Sequence, residues 1–268
     1  MTSRTVAVIT GASRGIGLEL ARVFAAHGHD VALVARSERD LDALASDLAE
    51  AAPARPRPIV VALDLAAAGS AERLAEVLAQ AGANVQFLVN NAGFGLAGDA
   101  LDLDRAEQAQ MIDLNVRSLV DLTLKFADEI AAMQGGILNV ASTAAFQPGP
   151  GMAVYYASKS FVLSFSEALS RELHDRGVAV TALCPGPTAT DFQARAGFDA
   201  SMLLRRLPPA SARDVAEAGY AGLMSGRRVV VPGFFNKLAA YGAPFAPRAL
   251  LLPLVERLMK KRPANRET

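Results

Sequence analysis

Tryptophan is absent from this 268-residue chain, and cysteine and histidine are nearly so, with one and three copies. The single thiol, Cys184, excludes an intrachain disulfide framework and points to a reducing compartment. It closes the strand-like run Val178-Ala-Val-Thr-Ala-Leu-Cys184, flanks that suit a buried structural thiol. His27, His29 and His174 are scattered without metal-ligand spacing, and no cysteine or carboxylate cluster stands in for them, so no metal is expected. Excess charge is missing too. Lys plus Arg equals Asp plus Glu at 27 each, which leaves no basic face for a nucleic acid. No uninterrupted apolar run reaches the ~18 residues that a membrane span needs. The chain enters a strand at Thr5-Val-Ala-Val-Ile9 without the parts of a signal peptide, so a cytoplasmic protein is expected.

What is present is a composition 51% hydrophobic and 20% charged, enough in 28.1 kDa for one large α/β domain with a full core. Short β-branched runs at 5–10, 30–35, 58–63, 86–90, 136–141, 178–184 and 228–232 read as strands. Helical periodicity falls between them, near 15–28, 38–51, 70–81, 104–134, 153–176 and 211–224. Continuous apolar strands alternating with helices predict a parallel sheet covered on both faces, doubly wound in the Rossmann manner. The Pro-rich stretch 51–58 reads as a stiff loop rather than a linker. Two segments fall outside the alternation. Residues 187–210 form a long insertion of the kind used as a lid or binding loop. Residues 234–268 form an apolar and basic extension of the 1–233 domain, in which Pro244, Pro247 and Pro253 are expected to break any long helix.

Thr10-Gly-Ala-Ser-Arg-Gly-Ile-Gly17 follows the first strand and opens the first helix. Gly11, Gly15 and Gly17 permit a tight turn in which a pyrophosphate approaches amides at a helix N-terminus. The spacing differs from G-x-G-x-x-G, and tight packing alone would also use such glycines. The second strand ends in Leu33-Val-Ala-Arg36-Ser37, where an acidic residue would hold a ribose 2′-hydroxyl and select NAD. Arg36 stands there instead, with Arg14 in the glycine turn, and two guanidiniums suit the 2′-phosphate of NADP, unless both are ordinary surface arginines. Asp64-Leu65 and Asn90-Asn91-Ala92-Gly93 end the third and fourth strands, on the side where ligands of open α/β sheets bind.

Tyr155 and Lys159 lie one helical turn apart, and Ser142 lies thirteen residues before the tyrosine. A phenol ordinarily holds its proton to pH ~10, and an ammonium on the same helix face favours the phenolate. A Tyr-x-x-x-Lys pair by itself usually marks a solvated face; with the serine and the glycine turn it suits hydride transfer to or from a carbonyl. Tyr156, three residues from the lysine, reads as packing.

The chain resembles the short-chain dehydrogenase/reductase family from residue 5 to about 233, through the glycine turn, Asn90-Asn-Ala-Gly93 and the group Asn115, Ser142, Tyr155 and Lys159. Pro185-Gly186 with Thr188 and Thr190 is similar to the family's segment on the nicotinamide side. The resemblance implies that Ser13, Ile16, Arg36, Asp64, Leu65, Asn91 and Thr188 touch NADP. It implies that Ser142 hydrogen-bonds the developing oxyanion and Tyr155 gives the proton. Lys159 would hold the nicotinamide ribose and lower the tyrosine pKa, and Asn115 would position a water. It also implies a homodimer or homotetramer. The extension departs from members that reduce acyl-carrier substrates and is similar to hydroxysteroid- or retinol-type members. Phe234, Phe235, Phe245 and the apolar run 249–255 are open to three readings: enclosing an apolar substrate, touching a membrane surface, or packing on the domain or on a dimer partner. The leading expectation is an NADP(H)-dependent oxidoreductase acting on a small apolar carbonyl or alcohol. An epimerase or dehydratase of the same fold, or a dinucleotide sensor without turnover, are the alternatives.

Overall fold

The computed structural model describes residues 4–190, 192, 196 and 210–259. Its strands are β1 (Arg4–Thr10), β2 (Asp30–Ala35), β3 (Ile59–Ala62), β4 (Ala83–Asn90), β5 (Gly136–Val140), β6 (Ala179–Leu183) and β7 (Val229–Val230). They pair in the order β3-β2-β1-β4-β5-β6-β7, and every pairing is parallel. The helices are α1 (Gly15–Ala26), α2 (Glu38–Ala51), α3 (Ser70–Gln80), α4 (Arg105–Ile112), α5 (Ser118–Ala132), α6 (Ala153–Glu172), α7 (Ala212–Met224), α8 (Phe234–Gly242) and α9 (Arg248–Met259). This is the single-domain, doubly wound fold that the alternation predicts.

Successive residues of a strand point to opposite faces, and each face needs its own cover. Val6, Val8, Ala32 and Val34 enter one core with Leu74 and Leu78 of α3 and Leu122, Phe126 and Ile130 of α5. Ala7, Ile9, Val31 and Leu33 enter the other, with Leu20 and Phe24 of α1, Leu41 and Leu44 of α2 and Val215 of α7. Each large side chain buried this way contributes about 1.5–3 kcal/mol relative to exposure. The strand order reverses beside β1, so β1 and β4 run side by side into a crevice at their carboxyl ends.

Two local expectations differ from the structure. The 104–134 stretch is α4 and α5 joined by a turn of π-helix, Asp113–Arg117. The wider turn rotates Asn115 into the interior, where it is buried. In the extension, Pro244 lies in a 3₁₀ turn after α8 and Pro247 directly precedes α9, but Pro253 sits inside α9. The carbonyl that loses its donor belongs to Ala249, an exposed residue, so the missing bond is not a buried one and the helix continues. Ala240 of α8 joins a core with Leu119, Val162 and Cys184, and Tyr241 meets Phe146 edge-on at 5.7 Å.

Candidate active site

The glycine turn and the Asn90–Gly93 segment are locked together at the crevice. The Thr10 hydroxyl donates to Val89 O (3.0 Å) and accepts from the amides of Asn91 (2.9 Å) and Ala92 (3.0 Å). The Asn91 amide donates to Thr10 O at 2.8 Å. Gly11 is left-handed, with φ 65°, and a Cβ on it would come within 2.8 Å of Asn91 Nδ2. A Cβ on Gly17 would overlap Asn91 Nδ2 and Gly11 O. No side chain caps α1, and its first turn carries no acidic residue, so its amides and positive dipole end face the cavity unopposed. This cradle fits the pyrophosphate of a dinucleotide.

Outward from it, Arg14 pairs with Asp40 at 3.6 Å, whereas Arg36 is exposed and makes no ion pair among the described residues. Ser37 caps α2 by accepting from the Asp40 amide at 3.4 Å. Asp64 is exposed and accepts from the Ala66 amide (3.0 Å), while Leu65 is buried.

On the other side of the crevice stand Ser142, Tyr155 and Lys159. Ser142 follows β5, caps the 3₁₀ turn Thr143–Phe146 and hydrogen-bonds the Tyr155 hydroxyl. Both Tyr155 and Lys159 are buried. Burial pushes the phenol up to about 12, opposed by the bond from Ser142, with Tyr156 adding to the rise. Burial also pulls Lys159 down to about 8, opposed by the charge of Cys184. The lysine ammonium donates to Val140 O at 2.8 Å and lies 6.0 Å from the Tyr155 ring centre, so desolvation decides the direction for the phenol. Tyr156 is held by Gln147 and packs over Gly149.

Asn115 donates to Phe94 O (2.9 Å) and Ser158 Oγ (3.1 Å) and accepts from the Phe94 amide (3.0 Å). The side-chain amide thus clamps Phe94 through one hydrogen and its oxygen, and ties that segment to α6 through the other hydrogen. Pro185 O accepts from the Thr143 amide at 2.9 Å, and Thr188 donates to Gly186 O at 2.9 Å. Thr190 approaches Gly15, where a Cβ would lie 3.3 Å from its methyl.

The glycine turn, Arg14, Arg36, Asp64, Leu65, Asn91–Gly93, Ser142, Tyr155, Lys159, Pro185, Gly186, Thr188 and Thr190 border one cavity of about 1360 Å³, and Asn115 does not. That exceeds the roughly 300–1,000 Å³ of a single-ligand pocket and leaves room for a dinucleotide and a second molecule. The second half of the cavity lies beyond Tyr155, bordered by parts of the 187–210 insertion and of the tail, both of which the sequence offers as binding elements. Phe94, Leu96, Met152 and Phe192 line it, and α8 and α9 close it with Phe235 and Leu254. Phe192 packs on Tyr155 at 5.3 Å between ring centres, and Ala196 O accepts from the Ala97 amide at 2.8 Å. The remainder of the insertion expected over 187–210, namely 191, 193–195 and 197–209, lies outside the described residues. The apolar run of the tail is the signal that points to α8 and α9.

A dinucleotide cradle beside a serine–tyrosine–lysine group defines a nicotinamide-dependent oxidoreductase on a Rossmann sheet. Residues 5–200 match the family model for short chain dehydrogenases, and the chain belongs to that family. It is similar to sulfoacetaldehyde reductase 2 of Chromohalobacter salexigens, with 37% identity over 79% of this chain and 85% of that protein. It is likewise similar to a solved short-chain dehydrogenase from Sphingobium yanoikuyae in complex with NADPH, at 31% identity and TM-score 0.78, covering 92% and 95% of the two chains. The bulky-bulky ketone specific alcohol dehydrogenase of Comamonas testosteroni superposes with TM-score 0.74 at 28% identity, covering 90% and 93%. The chain is thus an oxidoreductase that interconverts carbonyl and alcohol groups by hydride transfer.

Proposed function

We propose that this protein is an NADPH-dependent carbonyl reductase, reversible as an alcohol dehydrogenase, for a small apolar substrate. One observation carries the reading: the Ser142–Tyr155 hydroxyl pair sits between a phosphate cradle flanked by arginine and a wall of Phe, Leu and Met. The bound dinucleotide supplies the hydride. Ser142 donates a hydrogen bond to the carbonyl oxygen, and the Tyr155 phenol gives that oxygen its proton as charge develops. A phenol held near 12 is fully protonated at neutral pH, which suits the direction of reduction. Lys159 would hold the nicotinamide ribose. Asn115 is a positioning residue, acting through Phe94 on the floor of the substrate half. Gly11, Ser13, Arg14, Gly15, Ile16 and Gly17 would bind the pyrophosphate. Asp64, Leu65 and Asn91–Gly93 would meet the adenosine side and Pro185, Gly186, Thr188 and Thr190 the nicotinamide side. Residues 234–268 are read as an extension packed on the 1–233 catalytic domain, and a homodimer or homotetramer in the cytoplasm completes the reading.

The test is oxidation of NADPH and NADH against ketones, aldehydes, quinones and steroids. Turnover with an apolar ketone is the expected result. A product formed with no net change in the cofactor would mean an epimerase or dehydratase instead. Tight NADPH binding without turnover on any substrate would mean a sensor.

Arg36 is the residue on which the NADPH preference rests. A charge-assisted hydrogen bond to phosphate is worth about 1.5–3 kcal/mol, and a carboxylate in its place repels. Arg36→Asp is therefore expected to lower the NADPH/NADH ratio of kcat/KM by about 10²-fold, mainly through the KM for NADPH. An unchanged ratio would remove Arg36 from the 2′-phosphate site.

A further inference from the structure

We propose that the face made by α8, α9 and the turn between them seats on an anionic lipid bilayer, so that the mouth of the cavity opens to lipid. Phe234, Phe235, Leu238, Phe245 and Leu250 are 60–88% exposed, in a molecule whose other large apolar side chains are mostly buried. Monomeric surfaces rarely gather this much apolar area without a partner. Phe234, Phe235 and Leu238 also border the cavity, so the exposed patch is its outer rim.

Charge identifies the occupant. Residues 234–268 hold seven basic side chains against Glu256 and Glu267, a net +5, while the whole chain is neutral, so residues 1–233 are net −5. Lys237 and Arg248 are exposed among the apolar residues, and Lys260, Lys261 and Arg262 follow α9 directly in sequence. Aromatic and leucine side chains beside Lys and Arg are the composition of helices that lie in the interface of an anionic membrane. Among the described residues no helix is long and apolar enough to cross a bilayer, which leaves the interfacial mode. A second copy is the poorer fit, because a two-fold interface sets the same patch against itself and brings basic residues together.

The identity of what enters from the lipid rests on the reductase reading above; the docking does not. A ketone dissolved in the bilayer would reach Tyr155 past Phe235 and Leu254 without crossing water.

The test is co-sedimentation of the full chain with vesicles of phosphatidylcholine alone or mixed with phosphatidylglycerol. Binding is expected to the mixed vesicles only, and to fall about tenfold or more at high salt. Lys237→Glu is expected to weaken it by about tenfold or more. The double variant Phe245→Ser, Leu250→Ser should abolish it. Both changes are at exposed positions outside the cavity, and unchanged NADPH binding verifies that the variants are folded. No sedimentation of the parent with mixed vesicles, or equal sedimentation of the variants, overturns the proposal. So does a dimer in ultracentrifugation that the double variant splits while vesicles bind nothing. Vesicle binding without oxidation of NADPH by a lipid-dissolved ketone would support the docking and count against the reductase reading alone.

Discussion

Tyr155→Phe is expected to lower kcat by about 10²–10⁴-fold, the range for a general acid, with NADPH affinity nearly unchanged. The substitution removes one oxygen and keeps the ring, so the packing on Phe192 at 5.3 Å survives. No neighbour can replace the hydroxyl. Tyr156 is adjacent in sequence, but its own hydroxyl is engaged by Gln147 and its ring lies over Gly149. Tyr156→Phe is therefore the matched control, expected to keep kcat within about tenfold. Steady-state kinetics on the best ketone, with NADPH binding followed by fluorescence, separates the two. A Tyr155→Phe enzyme with more than a tenth of parental kcat would show that the proton comes from elsewhere.

The fold was legible because each strand is a continuous apolar run and each helix repeats at its own period, so neighbouring segments could not be exchanged. The cofactor side was legible because glycine has few uses at the turn from β1 to α1, and Gly17 has no space for a side chain. Three features were hidden for physical reasons. The π-turn at Asp113–Arg117 adds a residue to one turn without disturbing the apolar pattern on either side. Pro253 is a helix breaker by type, yet Ala249, whose carbonyl loses its donor, is an exposed residue. Helical spacing placed Lys159 on the face of Tyr155, but spacing does not fix where four methylenes carry an ammonium, and Val140 O takes it. The substrate wall combines Phe94 and Met152 with Phe235 and Leu254 from the far end of the chain, a meeting that only the tertiary fold creates.

The buried lysine leads to the second large effect: Lys159→Met is expected to inactivate the enzyme and stabilise it at neutral pH. The ordinary lysine value of 10.5 falls to about 8 in the folded protein because burial disfavours the ammonium. That difference corresponds to roughly 3 kcal/mol against the folded state. The sign follows from the protons held by each state. Below about 8 the lysine is charged both folded and unfolded, and the cost is present in full. Between about 8 and 10.5 the unfolded chain holds more protons, so parental stability rises with pH; above 10.5 both forms are neutral and the cost is gone. Methionine fills the same space without a charge but leaves Val140 O, now bonded at 2.8 Å, without its donor, a loss of about 1 kcal/mol. The variant should then be more stable than the parent by about 2 kcal/mol at pH 7 and less stable by about 1 kcal/mol above pH 10.5. Activity should fall at least about 10²-fold, since methionine cannot hydrogen-bond the nicotinamide ribose that Lys159 would hold. Urea unfolding at both pH values measures the crossing. A variant less stable than the parent at pH 7 as well would mean that the site accommodates the ammonium without cost, and the charge would then have to be stabilised by more than Val140 O.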